Sequence, residues 1–400
     1  MISTKTALDR MLKRTKKRNK QSIPINECYN RVLATDALAK HSQPPFDTAA
    51  MDGFAIKKRN KIAGTKLTVI GQCAAGENFN GLVKINQAVR IFTGAPLPKG
   101  ADCIVIQEDV FIKADTIIIN QTSETSDFIR KSGSDFSKGY TVKAPARINP
   151  VMVSLLAAMN YDKVEVYQTP SVAIISIGDE LVEPGNIIPK NKIVASNSYG
   201  LAAMLTSFGA APKVFAISPD TIPSIKEKIS EAKSFDLILT IGGASVGAFD
   251  LVLESAKSVG LKVVFQSVAM KPGKPLLAGI IENTLMVGLP GNPISSLICC
   301  YVMVKPIIEK MLGLAKKNDQ LNIIAKLGSD LEANGKREHF LRAILKNDNG
   351  SFVVYPQKRQ DSSLITELSQ SNALIKRAPN APALPIGQAI EILPFYTDYN

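Results

Sequence analysis

Lysines set among prolines and glycines, with serines and separate carboxylates nearby, suit one kind of chemistry well: holding an anion together with a divalent cation. The stretch VAMKPGKPLLAG, Val268 to Gly279, carries Lys271 and Lys274, and VGLPGNPISS, Val287 to Ser296, follows it with a Pro-Gly turn that opens a helix. SIGDELVEPG places Asp179 and Glu180 after one apolar run, and TIGGASVGAFD places Gly242, Gly243, Ser245, Gly247 and Asp250 after another. Glycine lets the backbone come close to a phosphate, and amides at a helix start donate to it with the helix dipole behind them. Lys271 and Lys274 add full positive charge, and Ser245, Ser295 and Ser296 add hydroxyl donors. Asp179, Glu180 and Asp250 would repel that anion unless a cation bridges them, which Mg²⁺ does with one or two carboxylates and the substrate's own phosphate. The candidate phosphate-binding set is therefore Gly242, Gly243, Ser245, Gly247, Lys271, Pro272, Gly273, Lys274, Pro290, Gly291, Asn292 and Ser295, with Glu180 and Asp250 as candidate Mg²⁺ ligands. Taken singly, each has a plainer reading: a Gly-Gly loop, a helix cap at Asp250, exposed lysines. Neither a Walker A pattern nor G-x-G-x-x-G occurs, which disfavours ordinary P-loop and dinucleotide enzymes.

These loops need a scaffold that brings them to one place. SVAIISIG, KVFAIS, DLILTIGG and KVVFQSVAM read as strands, and SNSYGLAAMLTSFGA, TIPSIKEKISEAKS, FDLVLESAKSVG and a long segment from Asn292 to about Leu312 read as helices. Their alternation predicts a doubly wound, mainly parallel α/β sheet covered on both faces, whose ligands lie at the carboxyl ends of the strands near a switch point. The chain is thus expected to be a multidomain α/β protein. Residues 170–317 form the doubly wound domain, and residues 318–400 a C-terminal β domain of short strands. Residues 43–138, with KLTVIGQ, QAVRIFTG, DCIVIQEDVFI and TIIIN between Gly, Pro and Asn breaks, read as an inserted β domain. Residues 1–42 and 139–169, which share helical patterns, read as the two halves of an elongated α+β domain around that insertion, with Pro150 in the first turn of NPVMVSLLAAMN.

The inserted domain carries its own cluster. PPFDTAAMDGFAI holds Asp47 and Asp52, RIFTGAPLPKGADCIVIQED holds Thr93, Gly94, Glu108 and Asp109, and IRKSGSDFSKG holds Arg130, Lys131, Gly133 and Asp135. Turn chemistry alone would account for each loop in isolation.

Bulk composition bounds the class. The chain has 400 residues, 45% of them hydrophobic, enough for several cores, and no apolar run suited to a membrane span or a signal peptide. A cytoplasmic protein with no membrane partner is expected. The five cysteines are scattered, with no C-x-x-C pair, so buried thiols fit better than disulfides or zinc. The excess of 48 basic over 35 acidic residues, +13, favours anionic partners. Much of it crowds Lys5 to Lys20, where no aromatic residue is available to stack on a base, so a solvated helix face is the expectation and nucleic-acid binding is not.

In their order along the chain, PPFDTAAMDGFAI, RIFTGAPLPKGADCIVIQED, ISIGDEL, ILTIGGASVGAFD, MKPGKP and GLPGNPISS, with GKREHFLRAIL in the tail, resemble the molybdopterin molybdenumtransferase family, the MoeA-like enzymes to which gephyrin's C-terminal domain is related. The resemblance implies an elongated four-domain homodimer that completes molybdenum cofactor synthesis. It implies that adenylylated molybdopterin is bound, molybdate enters at the dithiolene sulfurs, and AMP leaves, with Mg²⁺ required. It also implies a cleft between the doubly wound domain of one subunit and the inserted domain of the other. Asp52, Thr93, Asp135, Glu180, Asp250 and Lys271 match the family's functional positions. A molybdopterin adenylyltransferase and molybdoenzymes are the implied partners. Pro219 before Asp220, Ser267, Ile177 and Ala195 depart from the usual pattern. Those departures leave a second expectation, a catalytically weakened homologue that serves as a dimeric scaffold or a molybdate- and pterin-binding module.

Overall fold

The β-branched runs separated by amphipathic stretches fold as the alternation predicts, and the computed structural model describes residues 1–122, 126–242, 248–314 and 323–395. The chain forms two compact units: Met1–Gln21 with Asn30–Ala34 and Val166–Asn400, and Ser22–Tyr29 with Thr35–Glu165.

In the first unit a six-stranded sheet runs in the order Ala211–Val214, Ser171–Ser176, Leu237–Ile241, Thr284–Leu289, Leu277–Ile281, Lys262–Phe265. The first four strands are parallel, and Leu277–Ile281 runs against both of its neighbours. Alternate residues face opposite sides, so near-continuous apolar sequence fills two cores at once. Ile174, Leu239 and Val287 stand in register on one face, and Ala173, Ile238 and Met286 on the other. The first face is covered by the helices Thr4–Leu12, Asn197–Ser207 and Pro293–Met311 through Ala7, Met11, Leu201, Leu205, Ile298 and Ile307. The second is covered by Ile222–Glu231 and Ala248–Ser258 through Ile225, Ile229, Val252 and Ala256. Each large aliphatic side chain buried there contributes about 1.5–3 kcal/mol.

Two elements differ from the sequence expectation. KVVFQSVAM is not one strand: pairing in this sheet ends at Phe265, and Met270–Lys271 instead pairs in parallel with Glu338–Asp348. The chain crosses over because Ile2 bridges Val268, and the Ala269 N–H donates to the Ile2 carbonyl at 2.8 Å. The helix expected from Asn292 to Leu312 is interrupted by a π-turn at Cys300–Val304, closed by the Lys305 N–H on the Cys300 carbonyl. Pro306, next in the chain, has no N–H to continue the i→i−4 ladder, which accounts for the local widening.

The tail builds a closed barrel from Ile323–Leu327, Glu338–Asp348, Ser351–Pro356, Ala373–Arg377 and Ala389–Pro394, closed by pairing of Glu338–Asp348 with Ala373–Arg377. Ala343, Leu345, Val354, Ile375, Ile390 and Ile392 form its core.

The second unit holds a six-stranded sheet ordered Cys103–Ile106, Gly53–Ile56, Gln87–Ile91, Lys66–Cys73, Thr116–Ile119, Val110–Lys113. Phe54, Ile56, Leu67, Val105 and Ile117 pack on one side, and Ala55, Val89, Ile91 and Ile104 on the other. Pro150 stands at the start of the helix Pro150–Ala158, where its missing N–H costs nothing, and Asn149 caps that helix by accepting from the Met152 N–H at 2.8 Å. Among the described residues no helix is long and apolar enough to cross a membrane, and all five cysteines are buried and unpaired.

Candidate active site

The order of strands creates a crevice. From Ser171–Ser176 the chain goes to one neighbour, Ala211–Val214, and then returns to the other side at Leu237–Ile241. The connections diverge between the carboxyl ends of Ser171–Ser176 and Leu237–Ile241, which is where open α/β sheets bind ligands. A cleft of about 660 Å³ lies there, lined by Ile177, Glu180, Leu181, Ile193 to Asn197, Asp220, Gly242, Pro275, Pro290 to Pro293 and Ser363 among others.

Backbone without side chains forms part of its wall. Gly242 has φ +97°, and a Cβ there would lie 2.3 Å from the Ile177 carbonyl oxygen. A Cβ on Gly291 would come 3.4 Å from the Gly242 Cα, so the two turns pack backbone against backbone. Beside them the Asn197 carboxamide donates to the Gly291 carbonyl at 2.7 Å, while its own oxygen is buried without a donor. Asn197 thus stands at the start of its helix as a brace for the turn, and Ser196 makes no side-chain cap bond.

The carboxylates are arranged by local turns. The Glu180 carboxyl folds back onto Gly178, where a Cβ would meet it at 2.5 Å. Asp179 and Asp220 cap each other: the Asp179 N–H donates to Asp220 at 3.1 Å, and the Asp220 N–H to Asp179 at 3.2 Å. Lys192 donates to the Asp179 carbonyl, and the Ile193 N–H to the Glu180 carbonyl at 2.8 Å. Glu180 and Asp220 therefore line one cleft, whereas Asp179 serves the turn. Three of the departures noted in the sequence are close by, since Ile177 and Ala195 line the cleft and Pro219 precedes Asp220.

The Lys271 loop lies elsewhere. Lys271 is paired with His339 in the barrel, and His339 with Arg377 on the next strand. Of that loop only Pro275 lines the cleft; Lys271, Pro272, Gly273 and Lys274 do not. The Lys271 loop therefore does not follow a strand of the α/β sheet, because the strand leading to it belongs to the barrel. Gly273, φ +107°, lets the loop press on the last helix, for a Cβ would lie 2.4 Å from the Cys299 sulfur. Burial first, then the charges of Lys271, Arg337, Arg342 and Arg377, push His339 down to about 4, so it is neutral at physiological pH. Ser295 is buried within its helix rather than in the cleft lining.

Asp220, Asn197 and Ser363 were not in the predicted set. Ser363 comes from a D-S-S turn in which Asp361 accepts from its N–H at 2.8 Å and its hydroxyl at 2.6 Å. Arg342, 1% exposed, donates to the carbonyls of Arg359 at 2.8 Å and Asp361 at 3.1 Å, and Asn292 donates to the Ser362 hydroxyl at 3.1 Å. Gly243, Ser245 and Gly247 lie outside the described residues, as does the Asp250 side chain, although Asp250 belongs to the helix Ala248–Ser258.

In the second unit Asp52 and Thr93 meet directly. The Asp52 carboxylate accepts from the Thr93 N–H and from its hydroxyl, both at 2.7 Å. Those bonds hold its carboxyl below the usual range, with a further contribution from the positive charge of Arg90. The glycine of the M-D-G triplet is a steric requirement, for a Cβ on Gly53 would lie 2.1 Å from the Val105 carbonyl oxygen. Asp47 binds the third loop, accepting from Lys131 at 2.8 Å and from the Ser132 N–H at 2.9 Å. Asp135 is exposed, anchored by its own N–H to the Gln43 carbonyl at 3.0 Å, and makes no hydrogen bond to Asp52 or Thr93. Among the described residues no three His, Cys, Asp or Glu side chains are grouped to hold a metal ion. Glu180 and Asp220 are the two carboxylate residues that line the cleft among the described residues.

Known proteins resemble this chain along almost its whole length. Family models match at residues 2–160, the MoeA N-terminal region (domain I and II), at 173–310, a probable molybdopterin binding domain, and at 324–395, the MoeA C-terminal region (domain IV). A molybdopterin molybdenumtransferase of a Nostoc species is 33% identical over 90% of this chain and 83% of its own length. One from Haemophilus influenzae is 33% identical over 93% of each. The crystal structure of a molybdopterin biosynthesis moeA protein from Pyrococcus horikoshii superposes with a TM-score of 0.81 at 27% identity, covering 99% of this chain and all of that one.

Proposed function

From the premise that the chain belongs to the molybdopterin molybdenumtransferase family, transferases of molybdenum cofactor biosynthesis, we propose that it inserts molybdate into adenylylated molybdopterin in a Mg²⁺-dependent reaction that releases AMP. The observation that carries this reading is the switch-point cleft, which Gly242 and Gly291, having no side chains, line together with the carboxylates Glu180 and Asp220. Such turns let backbone amides approach phosphoryl oxygens. Ile177, Leu181, Ile193 and the prolines at 275, 290 and 293 offer apolar surface to a flat ring. Glu180 and Asp220 would hold Mg²⁺, which when bound supplies positive charge to the phosphate. Asp250 and the segment Gly243 to Gly247 belong to the same strand end by sequence and complete the proposed substrate loop. Asp52, fixed by Thr93, stays ionised and is suited to hold or accept a proton. Lys271 steadies an oxyanion from the barrel edge, with Asp135 an accessory carboxylate. The working form is a cytoplasmic homodimer that receives its substrate from an adenylyltransferase and passes product to molybdoenzymes.

The test is AMP release from adenylylated molybdopterin with Mg²⁺, with and without molybdate, beside Glu180→Gln. Molybdate-stimulated release that collapses in the variant is expected. No release from folded wild-type protein that still binds the substrate would reject the transferase reading in favour of a scaffold or binding module.

A further inference from the structure

Arg90 is half-buried and held firmly on its sheet. It stands opposite Phe54 on the neighbouring antiparallel strand, so both side chains share one face. Its guanidinium carbon lies 4.9 Å from the Phe54 ring centre and 5.3 Å from that of Phe92, two residues on. One guanidinium nitrogen donates to the Gln107 side-chain oxygen at 2.7 Å, and the Gln107 amide nitrogen donates in turn to Glu108 at 3.3 Å, which fixes the oxygen toward Arg90. The Gln107 N–H donates to the Asp52 carbonyl at 3.2 Å, tying this arrangement to the Asp52–Thr93 pair.

Among the described residues no carboxylate lies within ion-pair distance of Arg90. The Asp52 carboxylate, whose charge it feels through space, is bonded to Thr93 instead. Guanidinium carries five N–H donors in a fixed fork that matches tetrahedral oxyanions, and among the described residues Arg90 makes one hydrogen bond to protein. Aromatic faces on the cation leave its edge as the reactive side.

We propose that Arg90 is an anion-binding residue of the transferase reaction, holding a tetrahedral oxyanion of the substrate beside Asp52 and Thr93. The inference rests on the reading given under Proposed function. Two substrates carry that chemistry, the phosphoryl groups of adenylylated molybdopterin and molybdate itself, and their separate KM values distinguish them.

The experiment compares wild type with Arg90→Gln, Arg90→Lys and Arg90→Ala, each checked by thermal melting. Loss of a charge-assisted bond predicts that Arg90→Gln raises KM for one of the two substrates roughly ten- to hundredfold, with a smaller change in kcat. Arg90→Lys keeps the charge without the fork and recovers part of the loss. Methylguanidinium, which can take the place of the lost group against the Phe54 and Phe92 rings, restores Arg90→Ala, whereas methylammonium restores it less. An Arg90→Gln protein with both KM values within about twofold of wild type would overturn the proposal, because a charge-assisted bond to substrate is worth more. A fall in kcat and melting temperature with no KM change and no rescue would overturn it too, leaving Arg90 as packing. If Arg90→Gln does not fold, Arg90→Lys carries the same comparison. Failure of the wild type to release AMP sinks the transferase reading itself, and is thereby distinct from failure at Arg90.

Discussion

Two glycines with nearly the same backbone separate the two costs of adding a side chain. Gly242 has φ +97° and Gly260 has φ +98°, so alanine at either pays the same left-handed penalty, about 1–2 kcal/mol. Around Gly260, just past the helix Ala248–Ser258, a Cβ meets nothing within 4 Å. At Gly242 it would lie 2.3 Å from the Ile177 carbonyl oxygen, an atom of the adjacent strand end that cannot rotate away. Forcing that contact apart has the character of overpacking, which adds about 1–3 kcal/mol. Gly260→Ala should therefore lose about 1–2 kcal/mol, and Gly242→Ala roughly 2–5 kcal/mol. The assay is urea unfolding followed by far-UV circular dichroism, with binding of the adenylylated substrate measured alongside. Gly242→Ala should also weaken that binding severalfold, since Ile177 and Gly242 both line the cleft, while Gly260→Ala leaves it unchanged. Equal losses in the two variants would refute the reasoning, for they would show that the Ile177 turn moves aside freely.

Two other expectations follow from burial. His339 titrates near 4 in the folded chain against an ordinary value of 6.5, so the unfolded chain takes up the proton first as the pH falls. Its contribution is intact above about 6.5 and is lost toward 4, an effect of about 2 kcal/mol after allowing for its partial exposure; His339→Gln should flatten that slope in urea midpoints, and an unchanged slope would assign it to other groups. All five cysteines are buried, with Cys103 pushed up to about 11 and Cys299 to about 12 by desolvation. The native protein at pH 8 should thus be nearly inert to a thiol reagent that titrates all five after denaturation, and rapid native labelling would contradict the burial.

The parts of the fold legible in the sequence are those set by local pattern. The runs at Val172, Leu237 and Leu285 are nearly continuously apolar because both faces of a parallel sheet are covered, and this signal needs no partner to be read. KVVFQSVAM misled for the same reason. Its residues are mostly apolar, yet which sheet claims them is decided by Ile2 and by Glu338, positions remote in sequence. Among the residues that line the cleft, Gly242 directly follows a strand and Glu180 stands in the turn after one, positions a sequence shows, whereas Asp220 and Asn197 read equally well as turn and cap residues.

Ser363 shows why the remainder needed three dimensions. Its D-S-S turn is ordinary in sequence, and nothing in QDSSLITEL points to a cleft. The turn is held by Arg342, which is buried on a barrel strand and donates to the Arg359 and Asp361 carbonyls, with the Glu367 and Asp361 charges nearby. Removing a buried guanidinium would leave those carbonyls without donors, at about 1–3 kcal/mol each. The turn would then also lose the orientation that presents Ser362 to Asn292 and Ser363 to the cleft. A residue that reads as an oddly placed charge within an apolar strand, FLRAIL, is in this sense a support of the turn that carries Ser363.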